Sequence, residues 1–392
     1  MRRDRLLPKG RAPSPVRRLR KFKGLRGVVP GVAMALCCAQ SFAQWPDLAG
    51  EQAVAALSSA PLDRTMTVTH LAFGSCYKAQ RGGADIWRSI AATRPQLFIF
   101  AGDTLYPDED DSTAALPELR AAYGMLADLP AFKELRSATP MLAVWDDHDY
   151  GLNDGGADFA WRERSEALFE KAWGIDAYDP RRGRPGVYFS ELLGEPGQRL
   201  QLIVLDTRYF RSPLRATDAY GEKGRERYVP DADPAKTMLG PEQWMWLEAQ
   251  LQQPADLRLI VSSVQVLADG HGWEGWKQLP RERERLFALL RTYDDAPVLL
   301  LSGDRHVAGF YERDIGLQRP LLEFTSSSLN NPISFPNRHN TLSEQGPYRL
   351  GDLYGESNFG SLDIDWKAGV VELSLHDASG AVRRRVLQSL FN

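Results

Sequence analysis

Four short stretches of the sequence each run from an apolar segment into residues that bind metals or transfer protons. The stretches are FGSCYKAQ, FIFAGDTLYPD, AVWDDHDYGLNDGG and LSGDRHVAGF. In open α/β sheets, ligands bind outside the carboxyl ends of the strands. Strands that bring such side chains to one edge of a sheet therefore predict a single site. Its candidate residues are Cys76, Asp103, Tyr106, Asp146, Asp147, His148, Asp304 and His306.

The types of donor indicate which metals this site would bind. Asp103 follows a glycine at a strand end, where a carboxylate can bridge two cations, and Tyr106 lies three residues later. A phenol binds well only to a strong Lewis acid, so this pair hints at a trivalent ion such as iron. His306 suits iron or zinc, whereas Asp304 suits a harder ion. A thiolate at Cys76 would add one more ligand.

The stretch WDDHD, residues 145–149, is the strongest of these signals. Its three acidic residues and one histidine would repel one another without a shared cation or proton. A solvated polar loop is the alternative interpretation of WDDHD, and an exposed turn is the alternative for GDRH. Four such strand ends in one chain are less expected by chance than any one of them.

The first 43 residues differ in composition from the rest. Residues 1–26 contain eight Arg and three Lys against one acidic residue, and an uncharged stretch with an A-x-A-like end follows. This pattern predicts an export leader over 1–43, by the Sec or Tat machinery, and hence a periplasmic or extracellular protein. The apolar part is too short for a spanning helix, so no transmembrane anchor is expected once the leader is removed. A disordered basic tail is the alternative.

The net charge limits the kinds of partner, and the cysteine count limits the disulfides that the mature chain could form. Because residues 1–43 carry a charge of +10 and the whole chain −3, the mature chain would carry −13. Such an acidic surface argues against a nucleic-acid-binding module. Cys76 would be the only cysteine of the mature chain, which excludes an intramolecular disulfide. A metal-bound thiolate and a buried, inert thiol both explain a lone cysteine.

Strand-like and helix-like segments alternate from Thr67 to Gly303, and the last third is rich in strands. This order predicts a layered α/β fold, with a second, mixed sheet formed by the last third. The simplest organisation is a lead-in over 44–66 and one catalytic domain over 67–392.

Taken together, GSC, GDxxY, WDDHD, LDTRYFR and GDRH resemble the alkaline phosphatase D (PhoD-like) family of metallophosphatases, which is related to the purple acid phosphatases. The resemblance runs from Thr67 to the C-terminus. It implies a sandwich of two mixed β-sheets flanked by helices. It also implies hydrolysis of phosphate mono- or diesters by a metal-activated water at a binuclear centre. The implied ions are Fe³⁺ and a divalent ion, with Ca²⁺ favoured over Mg²⁺ or Mn²⁺.

The resemblance assigns a role to each matching residue. Cys76, Tyr106 and His306 would bind the trivalent ion, Asp103 would bridge both ions, and Asp147 and Asp304 would bind the second. His148 would assist the leaving group, and Asp146 would orient ligands. Arg208 would contact the phosphate; an ion pair with Asp206 is the alternative.

One departure concerns the second ion. The related purple phosphatases supply a histidine from the strand represented here by VSSVQV, where this chain has Ser263 and Gln265. An oxygen-rich site favours calcium, magnesium or manganese over zinc. Gln265 is either a metal ligand, a core residue, or a residue that contacts the ligands without binding the metal.

Three other functions compete with this interpretation. A phospholipase D-like or cell-wall-polymer phosphodiesterase would keep the metals and change the substrate, and exposed side chains at Trp273 and Trp276 would favour it. A non-catalytic metal-binding surface protein is a more distant alternative. A serine hydrolase is not supported, because the chain has no G-x-S-x-G motif.

Overall fold

The computed structural model describes residues 53–107, 113–334 and 337–390, all within one compact unit. The predicted leader, residues 1–43, lies outside the described residues, as does the first part of the predicted lead-in. The described part of the lead-in packs against the main body: Leu57 is fully buried, and its backbone N–H donates to the carbonyl of Ala172 at 2.6 Å. The predicted domain boundary at residue 67 stays a prediction.

The described residues form strands of four to eight residues. In chain order they are β1 (His70–Gly74), β2 (Phe98–Ala101), β3 (Met141–Val144), β4 (Phe189–Leu193), β5 (Leu200–Val204), β6 (Leu257–Ser262), β7 (Val298–Ser302), β8 (Ala308–Arg313), β9 (Leu321–Ser326), β10 (Arg349–Tyr354), β11 (Asn358–Asp365), β12 (Val370–Asp377) and β13 (Val382–Ser389). Most coincide with apolar runs of the sequence, but β10, with its exposed Gly351 and Asp352, has no such pattern.

The helices cover the outer faces of the sheets. They are α1 (Ala84–Thr93), α2 (Pro117–Ala127), α3 (Pro130–Ala138), α4 (Asp147–Tyr150), α5 (Arg162–Ala172), α6 (Gly240–Leu251), α7 (Pro280–Thr292) and α8 (Arg338–Leu342). α2 ends at Ala127, and Pro130 begins α3. Proline is tolerated there since the first helical N–H has no intrahelical partner.

The strands form two mixed sheets, which confirms the predicted sandwich. One sheet has six strands in the order β13-β12-β11-β1-β2-β3, and the other has seven in the order β10-β8-β9-β7-β6-β5-β4. One core cluster joins the two sheets, where the ring of Phe73 on β1 meets that of Phe324 on β9 edge-on at 5.0 Å, and a second packs β5, β6 and β7 against α6 and α7. Added to Gly360 of β11, a Cβ would lie 2.2 Å from Phe73, so the close approach of the sheets requires glycine there.

The strand-rich last third does not form a sheet of its own, contrary to prediction. β8, β9 and β10 join the sheet begun by β4 to β7, whereas β11 pairs antiparallel with β1 and brings β12 and β13 to the first sheet. Apart from β10, these strands alternate or are apolar, and such patterns predict a strand without naming its partner. The chain therefore crosses between sheets at residues 355–357, where the sequence carries no marker of the change.

Within each sheet the central strands are parallel. β1, β2 and β3 run parallel in the first sheet, and β5, β6, β7 and β9 in the second. Their carboxyl ends therefore open on one edge of the sandwich. None of the helices in the described ranges 53–107, 113–334 and 337–390 has both the length and the apolar character needed to cross a membrane.

Candidate metal centre

The predicted site residues follow the carboxyl ends of parallel strands. Cys76 follows β1, Asp103 and Tyr106 follow β2, and residues 146–148 follow β3. In the facing sheet, Arg208 follows β5, and residues 304–306 follow β7. The two sheets meet tightly at this edge, because a Cβ on Gly102 would lie 2.7 Å from Cβ of Asp146 and 2.8 Å from Cβ of Ser263.

Four of the predicted ligands have left-handed backbone conformations. Their φ angles are 59° at Cys76, 50° at Asp103, 68° at Asp304 and 56° at His306. A residue with a Cβ adopts this conformation at a cost of about 1–2 kcal/mol. Unfavourable backbone geometry of this kind clusters at functional sites, where the surrounding structure fixes it. The abrupt turn after each strand brings the side chain back over the strand ends.

One half of the site collects sulfur, phenol, imidazole and carboxylate. The Sγ of Cys76 lies 3.4 Å from Oδ2 of Asp103, and the hydroxyl of Tyr106 donates to the same oxygen at 2.6 Å. Donor atoms of Cys76, Asp103 and His306 all lie within 4.8 Å of one another. Ser327 connects this group, since its Oγ is 3.1 Å from Sγ of Cys76 and accepts the N–H of His306 at 2.8 Å.

One hydrogen bond fixes the tautomer of the His306 ring. Its Nδ1 hydrogen-bonds to the carbonyl oxygen of Asn331, which can only accept, so Nδ1 carries the proton and Nε2 keeps its lone pair. Burial lowers the pKa of His306 to about 4, so the ring is neutral near neutral pH. A carbonyl that fixes the tautomer of an imidazole is a common companion of metal-binding histidines.

The other half of the site is made of oxygen donors and His148. Donor atoms of Asp103, Asp147 and His148 form a second group within 4.8 Å, so Asp103 belongs to both groups. Asp147 accepts the backbone N–H of His148 at 3.0 Å and that of Asp154 at 2.7 Å. The rings of Tyr106 and His148 lie 4.2 Å apart, which places the imidazole beside the first group.

A third group of donors adds residues that the sequence had not indicated. Asp147, Asp154 and Glu274 place a carboxylate oxygen each within 4.8 Å of one another. Asp154 lies in the NDGG stretch a few residues after WDDHD, and Glu274 lies in a Gly/Trp-rich loop after β6. Asp304 lines the same cavity without belonging to any of the three groups.

Burial and nearby carboxylates oppose ionisation of Asp103 and Asp154, whereas at Asp147 burial is outweighed by the neighbouring His148 and Arg208, which lower its pKa. The pKa of Asp103 is raised well above its usual value by burial and by Asp147 and the other nearby carboxylates. That of Asp154 is raised to about 7, first by burial and then by Glu274 and Asp147. The site therefore holds more negative charge than its own cations offset. Bound cations would lower these pKa values and ionise the ligands.

Arg208 supplies a buried positive charge from behind the cavity. Its fully buried guanidinium donates from Nε to Asp146 at 2.5 Å and pairs with Glu274 at 2.7 Å. The alternative partner, Asp206, accepts the backbone N–H of Arg208 at 2.8 Å instead. Burial acts against the charge, yet Asp146 and Glu274 raise the pKa of Arg208 well above its usual value. The predicted phosphate contact of Arg208 stays a prediction.

Gln265 lies farther from the cavity. Its side chain is buried and donates to Oγ1 of Thr325 at 2.8 Å, and its Oε1 is 3.0 Å from Nε2 of His271. Asp146 accepts from Oγ of Ser263 at 2.7 Å, so it ties the first sheet to the second. These contacts suit the orienting role predicted for Asp146.

The strand ends enclose a cavity of about 190 Å³ that opens to solvent. Its floor contains the carboxylates and imidazoles of the three groups, and its rim carries Arg227, Trp273, Ile333 and Asn337. Carboxylate and imidazole donors line the cavity, and the thiol of Cys76 and the phenol of Tyr106 lie beside them, within hydrogen-bonding distance of Asp103. This donor set fits a trivalent ion beside an oxygen-rich divalent ion.

Comparison with known proteins decides the family. The sequence model of the PhoD-like phosphatases matches residues 71–375, which span all the strand ends described above. The chain belongs to the PhoD-like phosphatase family. The family predicted from the sequence is thereby confirmed.

Individual relatives are distant. Alkaline phosphatase D of Bacillus subtilis (strain 168) is 22% identical over an alignment of 279 residues that covers 60% of this chain and 46% of the relative. The match thus spans less than half of the relative's length. A solved structure of PhoD aligns with a TM-score of 0.64 and 16% identity over 84% of this chain and 70% of that chain. This second likeness shows the shared fold.

Proposed function

We propose that the protein is a metal-dependent phosphoesterase that hydrolyses phosphate mono- or diesters at two metal ions. The observation that carries this proposal is the sharing of Asp103 between two groups of donors at the meeting edge of two sheets. Family membership supports it. The ions, when bound, would supply Lewis-acid charge to the phosphoryl oxygens and a water of lowered pKa.

The two groups of donors differ in a way that supports two different ions. Cys76, Tyr106 and His306 would hold Fe³⁺, because a thiol and a phenol that share one carboxylate ionise readily only beside a strongly charged ion. Asp147 and Asp304 would hold the divalent ion, with Ca²⁺ favoured and Mg²⁺ or Mn²⁺ as alternatives. Asp154 and Glu274 would extend that oxygen-rich side.

The protein's own side chains would orient the substrate and move protons. His148 is partly exposed in the cavity and would donate a proton to the departing alkoxide. Asp146 and Arg208, buried behind the ligands, would hold Asp147 and Glu274 in place. The narrow cavity would admit the phosphate group, while the remaining atoms of the ester would lie on the rim.

A lipid or cell-wall-polymer phosphodiester is a second candidate substrate. Trp276 gives it no support, since this side chain is fully buried and its Nε1 donates to Ser262 at 3.0 Å. Trp273 does favour it, because the ring is only partly buried and lines the cavity. Export by the Sec or Tat route to the periplasm or the extracellular space remains part of the proposal, and cell fractionation would test it.

The test is hydrolysis by the purified mature chain, together with its metal content and visible spectrum. We expect about one iron per chain, a visible charge-transfer band, and hydrolysis of p-nitrophenyl phosphate or of bis-p-nitrophenyl phosphate. The ratio of the two rates would separate monoesterase from diesterase, and phosphatidylcholine micelles would test the lipid alternative.

Tyr106→Phe should abolish or shift the band, because the phenolate would be its source. Tyr123→Phe is the matched control, since it removes another buried phenol, on α2, whose hydroxyl has no hydrogen-bond partner among the described residues. A metal-free chain that stays inactive on both esters after addition of iron and calcium would contradict the proposal. It would favour a non-catalytic protein instead.

A further inference from the structure

We propose that Arg227 is the cationic side chain that contacts the phosphate group of the substrate, held in reach by Asp154 and Trp273. This inference rests on the proposed function and names the residue that the substrate's anion would meet at the rim of the same cavity. Arg227 lies in the long loop between β5 and α6, where no motif of the sequence indicates a role.

Three arginines near the cavity differ in how far their side chains are exposed to solvent. The Arg208 side chain is 0% exposed and is held by two carboxylates. Arg305 is 5% exposed and pairs with Glu344 at 2.9 Å. Arg227 lines the cavity with its side chain 32% exposed. A guanidinium must reach the entering anion to bind it, so Arg227 is the best placed of the three.

The backbone around Arg227 is fixed to the opposite wall of the cavity. The N–H groups of Arg227 and Tyr228 both donate to the carbonyl of Gly272, at 3.1 and 2.7 Å. Gly272 immediately precedes Trp273 and Glu274. A Cβ on Gly272 would lie 2.6 Å from Cα of Arg225, so the two loops are in direct contact. The position of Arg227 is therefore coupled to the loop that carries Glu274.

Its guanidinium is oriented by a carboxylate and a ring. Arg227 forms an ion pair and hydrogen bond with Oδ2 of Asp154, and the hydroxyl of Tyr228 donates to that same oxygen at 2.6 Å. The guanidinium carbon lies 5.9 Å from the ring centroid of Trp273, within the range of a cation–π contact. Asp154 engages one edge of the planar group, whose five N–H donors leave others for a phosphate oxygen.

This arrangement explains why a cation is needed at the rim of a cavity crowded with carboxylates. A phosphate ester approaching Asp103, Asp147 and Asp304 carries negative charge toward negative charge. Metal ions at the floor would offset the carboxylates, and Arg227 would attract the phosphoryl oxygens that face solvent. Arginine suits this task because its fork of donors matches two oxygens of one phosphate.

The experiment compares Arg227→Gln, Arg227→Lys and Arg225→Gln in the metal-loaded chain. Arg225 is the matched control, since it lies two residues away in the same loop, is 45% exposed and pairs with Asp218, away from the cavity. Inorganic phosphate is the probe, measured as a competitive inhibitor of p-nitrophenyl phosphate hydrolysis and by calorimetry. Metal content is measured on every sample so that phosphate affinity is compared at equal loading.

We expect Arg227→Gln to weaken phosphate binding about 10- to 100-fold, as for loss of a charged hydrogen bond, and to raise KM more than it lowers kcat. Arg227→Lys should recover part of the affinity because it keeps the charge and loses the fork. Arg225→Gln should bind phosphate as the wild type does.

Unchanged phosphate affinity in Arg227→Gln would overturn the inference, including the case in which only the melting temperature or kcat falls. Failure of the metal-loaded wild type to bind phosphate would also overturn it. If the wild type binds phosphate but hydrolyses neither ester, the proposed function fails, whereas the comparison of affinities still decides the role of Arg227.

Discussion

Replacing Arg208 with Met tests whether this residue acts as a fixed counter-charge. The side chains of Arg208, Asp146 and Glu274 are 0%, 0% and 4% exposed, so water cannot screen the carboxylates once the guanidinium is gone. Loss of one partner from a buried ion pair costs about 3–5 kcal/mol of unfolding free energy. We expect the loss of unfolding free energy in Arg208→Met to lie in this range when the metal has been removed with a chelator.

Arg258→Met is the matched control. Arg258 is equally buried, but its charged partner, Asp295, is 61% exposed, and its other contacts are neutral oxygens. Its loss should cost only about 1–3 kcal/mol, as for buried acceptors left without a donor. Urea unfolding of both variants, each with chelator and with iron plus calcium, provides the measurement.

Bound metal ions should reduce the loss of stability in Arg208→Met but not in Arg258→Met. Cations at the carboxylates would replace part of the missing positive charge, whereas the one carboxylate that pairs with Arg258, Asp295, belongs to none of the donor groups found in the described residues. The double variant Arg208→Met/Glu274→Gln should recover part of the lost stability, because it removes one of the uncompensated charges. The reasoning is refuted if, in chelator, Arg208→Met costs no more than Arg258→Met, or if metal restores both variants equally.

Three further predictions address proton transfer, pH dependence and packing. His148→Asn should slow hydrolysis of alkyl phosphates far more than that of p-nitrophenyl phosphate, because only a poor leaving group needs the proton; equal losses for both esters would contradict the role. Burial, with nearby carboxylates, raises the pKa of Glu166 from 4.5 to about 9, so the folded chain keeps a proton that the unfolded chain releases. The stability contributed by this proton is present at acid pH and is lost as the pH rises toward 9. In urea unfolding, the free energy of unfolding of Glu166→Gln should therefore fall by up to about 1.4 kcal/mol less per pH unit than that of the wild type. Gly102→Ala should destabilise by about 1–3 kcal/mol more than Gly197→Ala, since both glycines have φ near +92° but only Gly102 lacks room for a Cβ; equal thermal shifts would refute the packing argument.

Local sequence predicted much of the site because its ligands follow strands directly. An apolar run that ends in Gly-Asp or Trp-Asp-Asp-His marks both the end of a strand and the residue that emerges there. Parallel neighbours then place these ends together without any further information. The left-handed conformations of Asp103 and Asp304 were not readable, because this conformation is ordinarily signalled by glycine.

The rest of the site depends on contacts that sequence periodicity does not contain. Asp154 and Glu274 are 120 residues apart, and their carboxylates meet only because both follow strands of different sheets. Arg227 lies in a charged loop that is typical of solvent-exposed turns, and its backbone bonds to Gly272 fix it at the cavity. The division of the last third between two sheets was missed for the same reason, since strand patterns do not encode partners.

The charges around the cavity support the proposed pair of ions. The carboxylates that line it, with those in the attached ion pairs, are Asp103, Asp146, Asp147, Asp154, Glu274, Asp304 and Glu344, and the arginines are Arg208, Arg211, Arg227 and Arg305. Seven negative charges against four positive ones leave an excess of three when all are ionised. Ionisation of Cys76 and Tyr106 as ligands would raise this excess further, and bound cations would offset it. Burial raises the pKa of both groups while no cation is bound, so metal uptake should release protons.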